Sequence, residues 1–384
     1  MPRTRRLLSI AHSYVVALNR RLAHELARAG KGEWEITAVA PRYFQGGNDL
    51  RPVTFEPLNA EPCKVVEVSA HLTRRVHVFI YGRQLRSLLA EPWDLVHCWE
   101  EPYILAGGQV AWWTPRHTPL VYATFQNLPK RYPPPFNWIE RRVLSRAAGW
   151  IAYGQTVADT LQSRPGYRDR PYRTIPVGVD LNHFQPEADA KQAVRQSLGW
   201  EEAGPPVVGY LGRFTQEKGL PLLQRVLEGL PSPWRALIVG AGPLESSLQA
   251  WSRPYGERVR ICTDVRHAEV PRYLNAMDVL CAPSQTTPHW REQFGRMLIE
   301  AFACGVPVIG SDSGEIPFVI GDAGIVVGEQ DEAGWRRALA ELLDNPARRH
   351  EFAGRGLERV RQLYSWPVIA RQYLDFFEQI LDAR

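Results

Sequence analysis

The sequence lacks a long hydrophobic run. Its most apolar stretch, Pro102 to Trp113, is shorter than the roughly 20 residues that span a bilayer, and Gly107 and Gln109 interrupt it. The basic start, residues 1–6, is followed by only a strand's length of apolar chain, so we expect no secretory signal. We therefore expect a cytoplasmic protein that does not cross a membrane.

Cysteine is scarce, and the Asp-x-Asp motif is missing. The cysteines at 63, 98, 262, 281 and 304 show no Cys-x-x-Cys spacing, which argues against a disulfide framework and against a zinc knuckle. No Asp-x-Asp pair occurs, so the sequence offers no obvious carboxylate clamp for a divalent ion. We expect no metal site.

Charge is uneven along a chain of otherwise ordinary composition. The 384 residues are 45% hydrophobic and 23% charged, which is typical of a soluble globular protein with two domains. Residues 1–180 hold 24 basic and 15 acidic side chains, whereas the remainder holds 22 and 26. The basic front half suggests an anionic surface or substrate, or merely a composition rich in arginine. Because the arginines are dispersed and no nucleic-acid motif occurs, we expect no nucleic-acid partner.

Short apolar runs alternate with amphipathic stretches, a pattern typical of parallel α/β sheets. A predicted helix from Val15 to Ala29 follows the first strand, and the segment from Tyr172 to Val179 is predicted to link two lobes. The principal predicted strands are 6–11, 35–40, 95–98, 120–124 and 149–153 in the front half, and 206–211, 235–240, 259–262, 279–281, 306–310 and 325–327 in the back half.

One chemistry-bearing segment runs from Arg291 to Gly310. Gly295 is predicted to lie where a loop enters a helix, with the amides of Gly295, Arg296 and Met297 unpaired and pointing outward. Such a helix end suits a phosphate because free N–H groups and the helix dipole act together. Glu292 lies just before this helix, and Glu300 lies inside it among apolar residues, where a carboxylate needs a partner such as a ribose hydroxyl.

A second segment, Gly209 to Gly219, follows another predicted strand. Gly212 ends that strand, and Arg213 follows at its carboxyl end, where ligands bind in open α/β sheets. Arg213 and Lys218 are suited to clamp a diphosphate, one through its planar fork and the other as a point charge. The alternative is an ordinary solvated strand–helix loop.

Together these residues resemble the retaining glycosyltransferases of family 4, which have the GT-B fold. The resemblance rests on Arg213 with Glu217-Lys218-Gly219 and on Glu292-x7-Glu300, and it covers nearly the whole chain. It implies an α/β fold of two Rossmann-like, doubly wound parallel-sheet lobes with an interlobe cleft. It further implies an N-terminal acceptor lobe over 1–178, a nucleotide-sugar lobe over 179–365 and a helix over 366–384 that returns to the first lobe. Supporting segments are Ile175–Asp180, Phe184-x-Pro186, Val239–Gly242, Ala282-Pro-Ser284 and Ser313–Pro317.

The resemblance also implies roles for residues of the back half. Arg213 and Lys218 would hold the diphosphate, Glu300 the ribose, and Glu292 the donor sugar, with Glu292 as a covalent nucleophile the alternative. Main-chain amides from Phe294 to Arg296 would assist, and the loop containing Val265 would receive the base. The implied reaction is metal-independent and retaining, and it uses no cofactor besides the nucleoside-diphosphate sugar.

The front half departs from the family pattern. Many members carry a histidine after the strand at 120–124, where this chain has Gln126 and Asn127. Either amide could hydrogen-bond a sugar hydroxyl, but neither can act as a base. His12, at the end of strand one, is the candidate for a catalytic or acceptor-binding role, and Glu101 is a further candidate contact. His97 is predicted to be a core or strand-end residue.

The expected partners are a UDP- or GDP-type sugar donor and a glycan, lipid-linked or small-molecule acceptor, as in bacterial polysaccharide assembly. An acceptor with a lipid anchor would bring the chain to the inner membrane face. The segment from Tyr132 to Phe136 either lines an acceptor groove or forms a rigid surface loop. Another GT-B enzyme of the epimerase or phosphorylase type, or a catalytically weak nucleotide-sugar-binding protein, would also fit. The base, sugar, linkage and oligomeric state are left open.

Overall fold

The computed structural model describes residues 3–46, 52–201 and 204–383. The chain divides into two units, and each has its own parallel sheet. The first unit joins Met1–Gly178 to Trp366–Arg384, and the second is Val179–Ser365. The C-terminal segment thus folds with the N-terminal part of the chain and not with the residues that directly precede it.

The first unit contains a main parallel sheet and two short antiparallel pairs. Strands β8, β9 and β10 of the main sheet are buried along their whole length, which is why they are short apolar runs in the sequence. The strands are Arg5–Ile10 (β1), Trp34–Pro41 (β2), Tyr43–Phe44 (β3), Val53–Thr54 (β4), Lys64–Val68 (β5), Ala70–His71 (β6), Ile80–Tyr81 (β7), Leu95–Cys98 (β8), Leu120–Thr124 (β9), Gly149–Ala152 (β10) and Tyr172–Thr174 (β11).

The first helix starts later than the sequence predicts. Two 3-10 turns, 12–15 and 17–20, occupy the beginning of the helix expected from Val15. The amide of His12, at the start of the first of these turns, donates to the side chain of Glu100 at 2.6 Å. The α-helices of this part of the chain are Arg21–Ala29 (α1), Gln84–Leu89 (α2), Leu105–Trp113 (α3), Phe136–Arg146 (α4) and Gln155–Gln162 (α5).

Strand β11 was predicted to be part of a linker. It pairs with β10 at the sheet edge, with Trp150 opposite Tyr172 and their rings stacked at 4.8 Å. All three residues of β11 are exposed, so they produce no apolar run in the sequence. Main-chain pairing, and not burial, defines this strand.

The second unit repeats the plan with a six-stranded parallel sheet among its described residues. Its strands are Val207–Leu211 (β12), Arg235–Val239 (β13), Val259–Cys262 (β14), Val279–Ala282 (β15), Val308–Ser311 (β16) and Ile325–Val327 (β17). Its α-helices are Ala188–Ser197 (α6), Leu220–Glu228 (α7), Glu245–Ser252 (α8), Val270–Asn275 (α9), Arg296–Ala303 (α10), Ile316–Ile320 (α11), Glu332–Asp344 (α12) and Pro346–Arg359 (α13).

The last helix, Trp366–Asp382 (α14), packs on the first unit. Tyr373 and Phe377 lie against the ring of His97, with ring centres 5.4 and 5.6 Å away. His97 Nδ1 is 2.9 Å from Ser9 Oγ, and burial lowers the pKa of His97 to about 3. His97 is therefore a neutral core residue, which confirms the prediction.

In each sheet the strand order reverses once. The first sheet runs β11-β10-β9-β8-β1-β2-β5 and reverses between β1 and β8, and the second runs β14-β13-β12-β15-β16-β17 and reverses between β12 and β15. Connections diverge to opposite faces at such a place and leave a crevice beyond the carboxyl ends of the strands. The two reversal points are thus the places where each sheet can receive a ligand.

Candidate active site

At the reversal point of the second sheet, Lys218 and Glu292 form a buried ion pair. Lys218 Nζ donates to Glu292 Oε2 at 2.5 Å, and Ser284 Oγ donates to the same oxygen at 2.9 Å. The Lys218 and Glu292 side chains are 14% and 7% exposed, and the ammonium lies 4.9 Å from the ring centre of Trp290. The loops after β12 and β15 thus place a cation and a carboxylate together at one sheet edge.

Gly219 brings these two loops into contact. Its φ of 75° lies in the left-handed region, and a Cβ at this position would lie 1.7 Å from the carbonyl oxygen of Pro283. The glycine that follows Lys218 therefore lets the β12 loop approach the main chain just before Ser284. This close approach positions the ammonium of Lys218 for its bond with Glu292.

Arg213 lies at the same edge but is not part of the buried pair. Its side chain is 67% exposed, and Nη2 is 3.9 Å from Glu217 Oε1, the one side-chain contact that the described residues give it. The hydroxyl of Tyr210 donates to the Arg213 carbonyl at 2.7 Å. Burial and the charge of Glu292 raise the pKa of Tyr210, while Arg213 opposes the rise, so both charges act on this phenol. Convergence of Arg213 and Lys218 on one diphosphate stays a prediction.

Helix α10 begins after Gly295 and contains Glu300, in line with the sequence. Gly295 has φ 81° and ψ 60° at the N-cap, and Arg296 and Met297 are the first helical residues. The buried ring of Phe294 packs against Tyr364 at 5.9 Å. The ring of Phe294 thus anchors the loop, and a ligand would contact the main chain of this residue and not its side chain.

Glu300 is a buried carboxylate with only distant cations. Nε of Arg296 and Nε2 of His267 each lie 4.0 Å from Glu300 Oε1. Burial raises the pKa of Glu300, and the charge of Arg296 only partly offsets that rise. Burial, together with the charges of Arg296 and His183, lowers the pKa of His267. A hydroxyl donor would stabilise the ionised form of Glu300.

The remaining predicted donor contacts lie in strand-end loops. Gly212 follows β12, and its amide donates to the carbonyl of Val239 at 3.0 Å. A Cβ on Gly240 would lie 1.8 Å from the Gly212 carbonyl oxygen, so glycine lets the two loops approach closely. Val265 is half-buried in the loop that follows β14, the strand next to β13 in the sheet.

At the reversal point of the first sheet, His12 is held by a buried carboxylate. Nδ1 of His12 lies 2.6 Å from Glu100 Oε2, and the hydroxyl of Tyr81 donates to Glu100 Oε1 at 2.5 Å. Burial opposes protonation, but the negative charge of Glu100 and its hydrogen bond outweigh it, so the pKa of His12 is raised. The imidazole side chain is 28% exposed, and rings of Phe44 and Phe79 flank it.

Glu101, Gln126 and Asn127 lie around the end of β9. Glu101 accepts hydrogen bonds from the hydroxyl of Thr124 at 2.6 Å and from the Phe125 amide at 2.8 Å, and burial raises its pKa. The Gln126 amide group bonds to the side chains of Tyr132, Arg164 and Tyr167. Asn127 is buried, and its carbonyl accepts from Thr160 at 3.2 Å. A sugar contact by any of the three stays a prediction.

Sequence reasoning assigned no specific role to three members of these clusters, Ser284, Glu100 and Trp290. Ser284 belongs to the Ala-Pro-Ser segment that supported the resemblance, so its position after a strand end was a usable signal. Glu100 precedes the candidate Glu101, but its partner Tyr81 is 19 residues away in the chain. Trp290 is one of 13 tryptophans and carries no local signal.

Two features are absent from the described residues. No group of three or more His, Cys, Asp or Glu side chains in the described ranges is arranged to hold a metal ion. No described helix is long and apolar enough to cross a membrane.

Comparison with known proteins identifies the family. A model described as Glycosyltransferase Family 4 matches residues 15–183, and one described as Glycosyl transferases group 1 matches residues 205–345. This chain belongs to the family 4 glycosyltransferases.

Curated members of the family resemble this chain over parts of their length. A GDP-mannose-dependent monoacylated alpha-(1-6)-phosphatidylinositol monomannoside mannosyltransferase of Corynebacterium glutamicum is 29% identical over 54% of this chain and 56% of its own. A D-inositol 3-phosphate glycosyltransferase of Xylanimonas cellulosilytica is 28% identical over 64% of this chain and 60% of its own. The chain thus covers less than two thirds of either relative.

Solved structures show that this family 4 member has the GT-B fold. Anabaena HepE in complex with UDP superposes with a TM-score of 0.73 at 18% identity, covering 98% of this chain and 100% of that one. At such low identity the likeness concerns the fold, two Rossmann-like parallel-sheet lobes.

Proposed function

We propose that this family 4 glycosyltransferase moves a sugar from a nucleoside-diphosphate sugar to an acceptor hydroxyl with retention of configuration. The observation that carries the proposal is the cluster of Lys218, Glu292 and Ser284 at the reversal point of the second sheet. It combines a positioned ammonium with a carboxylate, and the N-terminus of α10 follows three residues later. These groups suit a diphosphate joined to a sugar.

In the proposed donor complex, the diphosphate lies against Lys218, Arg213 and the amides that open α10. Glu292 accepts hydrogen bonds from the donor sugar, and Glu300 accepts them from the ribose. The raised pKa of Glu300 supports this role, since ribose hydroxyls would supply the donors that the distant cations do not. The loop containing Val265, with Gly212, would receive the nucleoside.

The proposed reaction needs no protein nucleophile. The bond between the anomeric carbon and the β-phosphate oxygen breaks, and a bond to the acceptor oxygen forms on the same face. The acceptor proton passes to the departing phosphate oxygen. Lys218, Arg213 and the helix amides stabilise the negative charge that develops on the diphosphate, so we propose that neither a metal ion nor a further cofactor takes part.

The acceptor is proposed to bind the first unit. The Corynebacterium relative is named for a phosphatidylinositol mannoside and the Xylanimonas relative for inositol 3-phosphate, so phosphate-bearing hydroxyl compounds are the first acceptors to test. His12 would direct Nε2 toward the acceptor because Glu100 holds Nδ1, and Glu101, Gln126 and Asn127 are nearby candidates. A lipid-linked acceptor would bring a cytoplasmic enzyme to the inner membrane face.

A panel of nucleotides tests the donor site. UDP, GDP and ADP are compared with the matching monophosphates by thermal shift, and one diphosphate should stabilise the chain more than its monophosphate. A ligand at 100 times its Kd adds about 2.7 kcal/mol to the free energy of unfolding. Absence of stabilisation by every diphosphate would contradict the proposal.

Nucleoside-diphosphate sugars that contain the preferred nucleotide are then incubated with and without acceptors. The anomeric configuration of the product is determined by NMR. Transfer with retention is expected. Inversion, epimerisation of the donor or release of a sugar phosphate would replace the proposal with another GT-B reaction. Tight binding with no reaction across a broad acceptor panel would indicate a nucleotide-sugar-binding protein.

A further inference from the structure

A groove in the first unit is separate from the sheet reversal point. It has a volume of about 850 Å³ and lies between one face of α4 and the loop formed by residues 164–170. The α4 residues that line it include Asn137, Arg141 and Leu144, whose spacing places them on a single helix face. Tyr167 lines the opposite side of the groove.

The wall near the end of β9 is held in place by side-chain contacts. The ring of Tyr132 stacks on Tyr103 with centres 3.8 Å apart, and its hydroxyl donates to Gln126 Oε1 at 3.0 Å. Arg164 donates to the same oxygen at 3.0 Å and pairs with Glu140 at 3.1 Å. Of the segment from Tyr132 to Phe136, Tyr132 lines this groove, and an acceptor-binding role for the segment stays a prediction.

The charge of the groove favours an anion. Glu140 and Arg164 neutralise each other, with side chains 14% and 19% exposed. The charged lining residues that remain are Arg131, Arg141 and Arg170, opposed by Asp169. In the described part of the chain, the side chains of Arg131 and Arg141 form no hydrogen bond or ion pair, so both guanidinium groups can turn to a ligand.

The groove also presents an acceptor for a hydroxyl group. Asn137 Oδ1 is buried, and no donor among the described residues reaches it. Buried polar atoms are nearly always hydrogen-bonded, so this oxygen calls for a donor from a ligand or from solvent. From Asn137 to Ser145 the groove follows α4 for about 12 Å at 1.5 Å per residue.

We propose that this groove binds an anionic saccharide, whose hydroxyls contact Asn137 and whose phosphate or carboxylate contacts Arg131 and Arg141. The inference rests on the proposed function, because the groove would then hold the acceptor with one end beside Gln126 at the end of β9. It assigns a use to the basic front half of the chain.

Calorimetry on the full chain tests the groove without turnover. The probes are maltose 6′-phosphate and trigalacturonate, with maltose as the neutral control. We expect at least one anionic probe to bind ten-fold or more tightly than maltose. Preference for the phosphate or for the carboxylate probe distinguishes the two sources of charge, and equal affinity for maltose would overturn the proposal.

Two variants of the first unit test whether the probe binds in the groove. R131A/R141A should lower the affinity for the anionic probe by ten-fold or more. Arg142 is an exposed residue of α4 outside the groove, so R142A should bind the probe like the native chain. An equal loss in R142A, or an unchanged affinity in R131A/R141A, would show that the groove is not the site. Thermal shift by the preferred nucleotide should be unchanged in both variants, because the donor residues lie in the second unit. If the native chain binds no nucleotide, the proposed function fails independently of the groove.

Discussion

Replacing Lys218 by Met removes the ammonium and keeps most of the side-chain volume. The change leaves Glu292, 7% exposed, with the Ser284 hydroxyl but without its cation at 2.5 Å. Loss of one partner of a buried ion pair costs about 3–5 kcal/mol in the free energy of unfolding. We expect the low end of that range, because Ser284 still donates to Glu292.

The same change should reduce the catalytic rate by more than the loss of stability alone can explain. Loss of one group that stabilises developing charge lowers kcat by about 100- to 1,000-fold. The double variant K218M/E292Q removes both charges, so it should regain much of the stability while turnover stays low. Urea denaturation gives the stability, and kcat and KM with the preferred donor give the activity.

The control is K31M, which alters an exposed lysine in the turn after α1. It should match the native chain in both assays. A folded K218M enzyme with nearly native kcat/KM would remove Lys218 from the diphosphate site. An unchanged free energy of unfolding would instead show that the buried pair contributes no net stability.

Two further predictions concern Gly219 and His12. G219A should destabilise the second unit by about 1–3 kcal/mol in urea denaturation, because φ at this position is 75° and the added Cβ would meet the Pro283 carbonyl. The control is G354A in helix α13, where a Cβ meets no other atom within 4 Å, so this variant should be neutral or stabilising. Little change in G219A would contradict the close approach of the two loops. The raised pKa of His12 makes the His12–Glu100 pair stabilising below about pH 6.5, and this contribution is lost as pH rises through the folded pKa. The stability difference between the native chain and E100Q should therefore shrink from pH 5.5 to 8.5, and a constant difference would refute the pairing.

Several elements could be predicted because their signals are local. Leu95–Cys98 and Leu120–Thr124 have the predicted bounds, since a strand buried on both faces is a short apolar run with a turn signal at each end. The start of α1 could not be placed, because two 3-10 turns precede it and the sequence pattern does not distinguish them from an α-helix. Strand β11 could not be placed because its residues are exposed.

The sequence by itself determined the alternation of strands and helices, the residues at the strand ends and the family to which they belong. These follow from periodicity and from spacing over a few residues. Only the tertiary structure decided which of these residues meet: Lys218 and Glu292 are 74 residues apart in the chain and 2.5 Å apart in space. The tertiary structure likewise forms the groove between α4 and residues 164–170, and it leaves Arg213 outside the buried pair. Burial and charge pairing depend on the packing of segments that are distant in the chain, so the sequence pattern did not predict them.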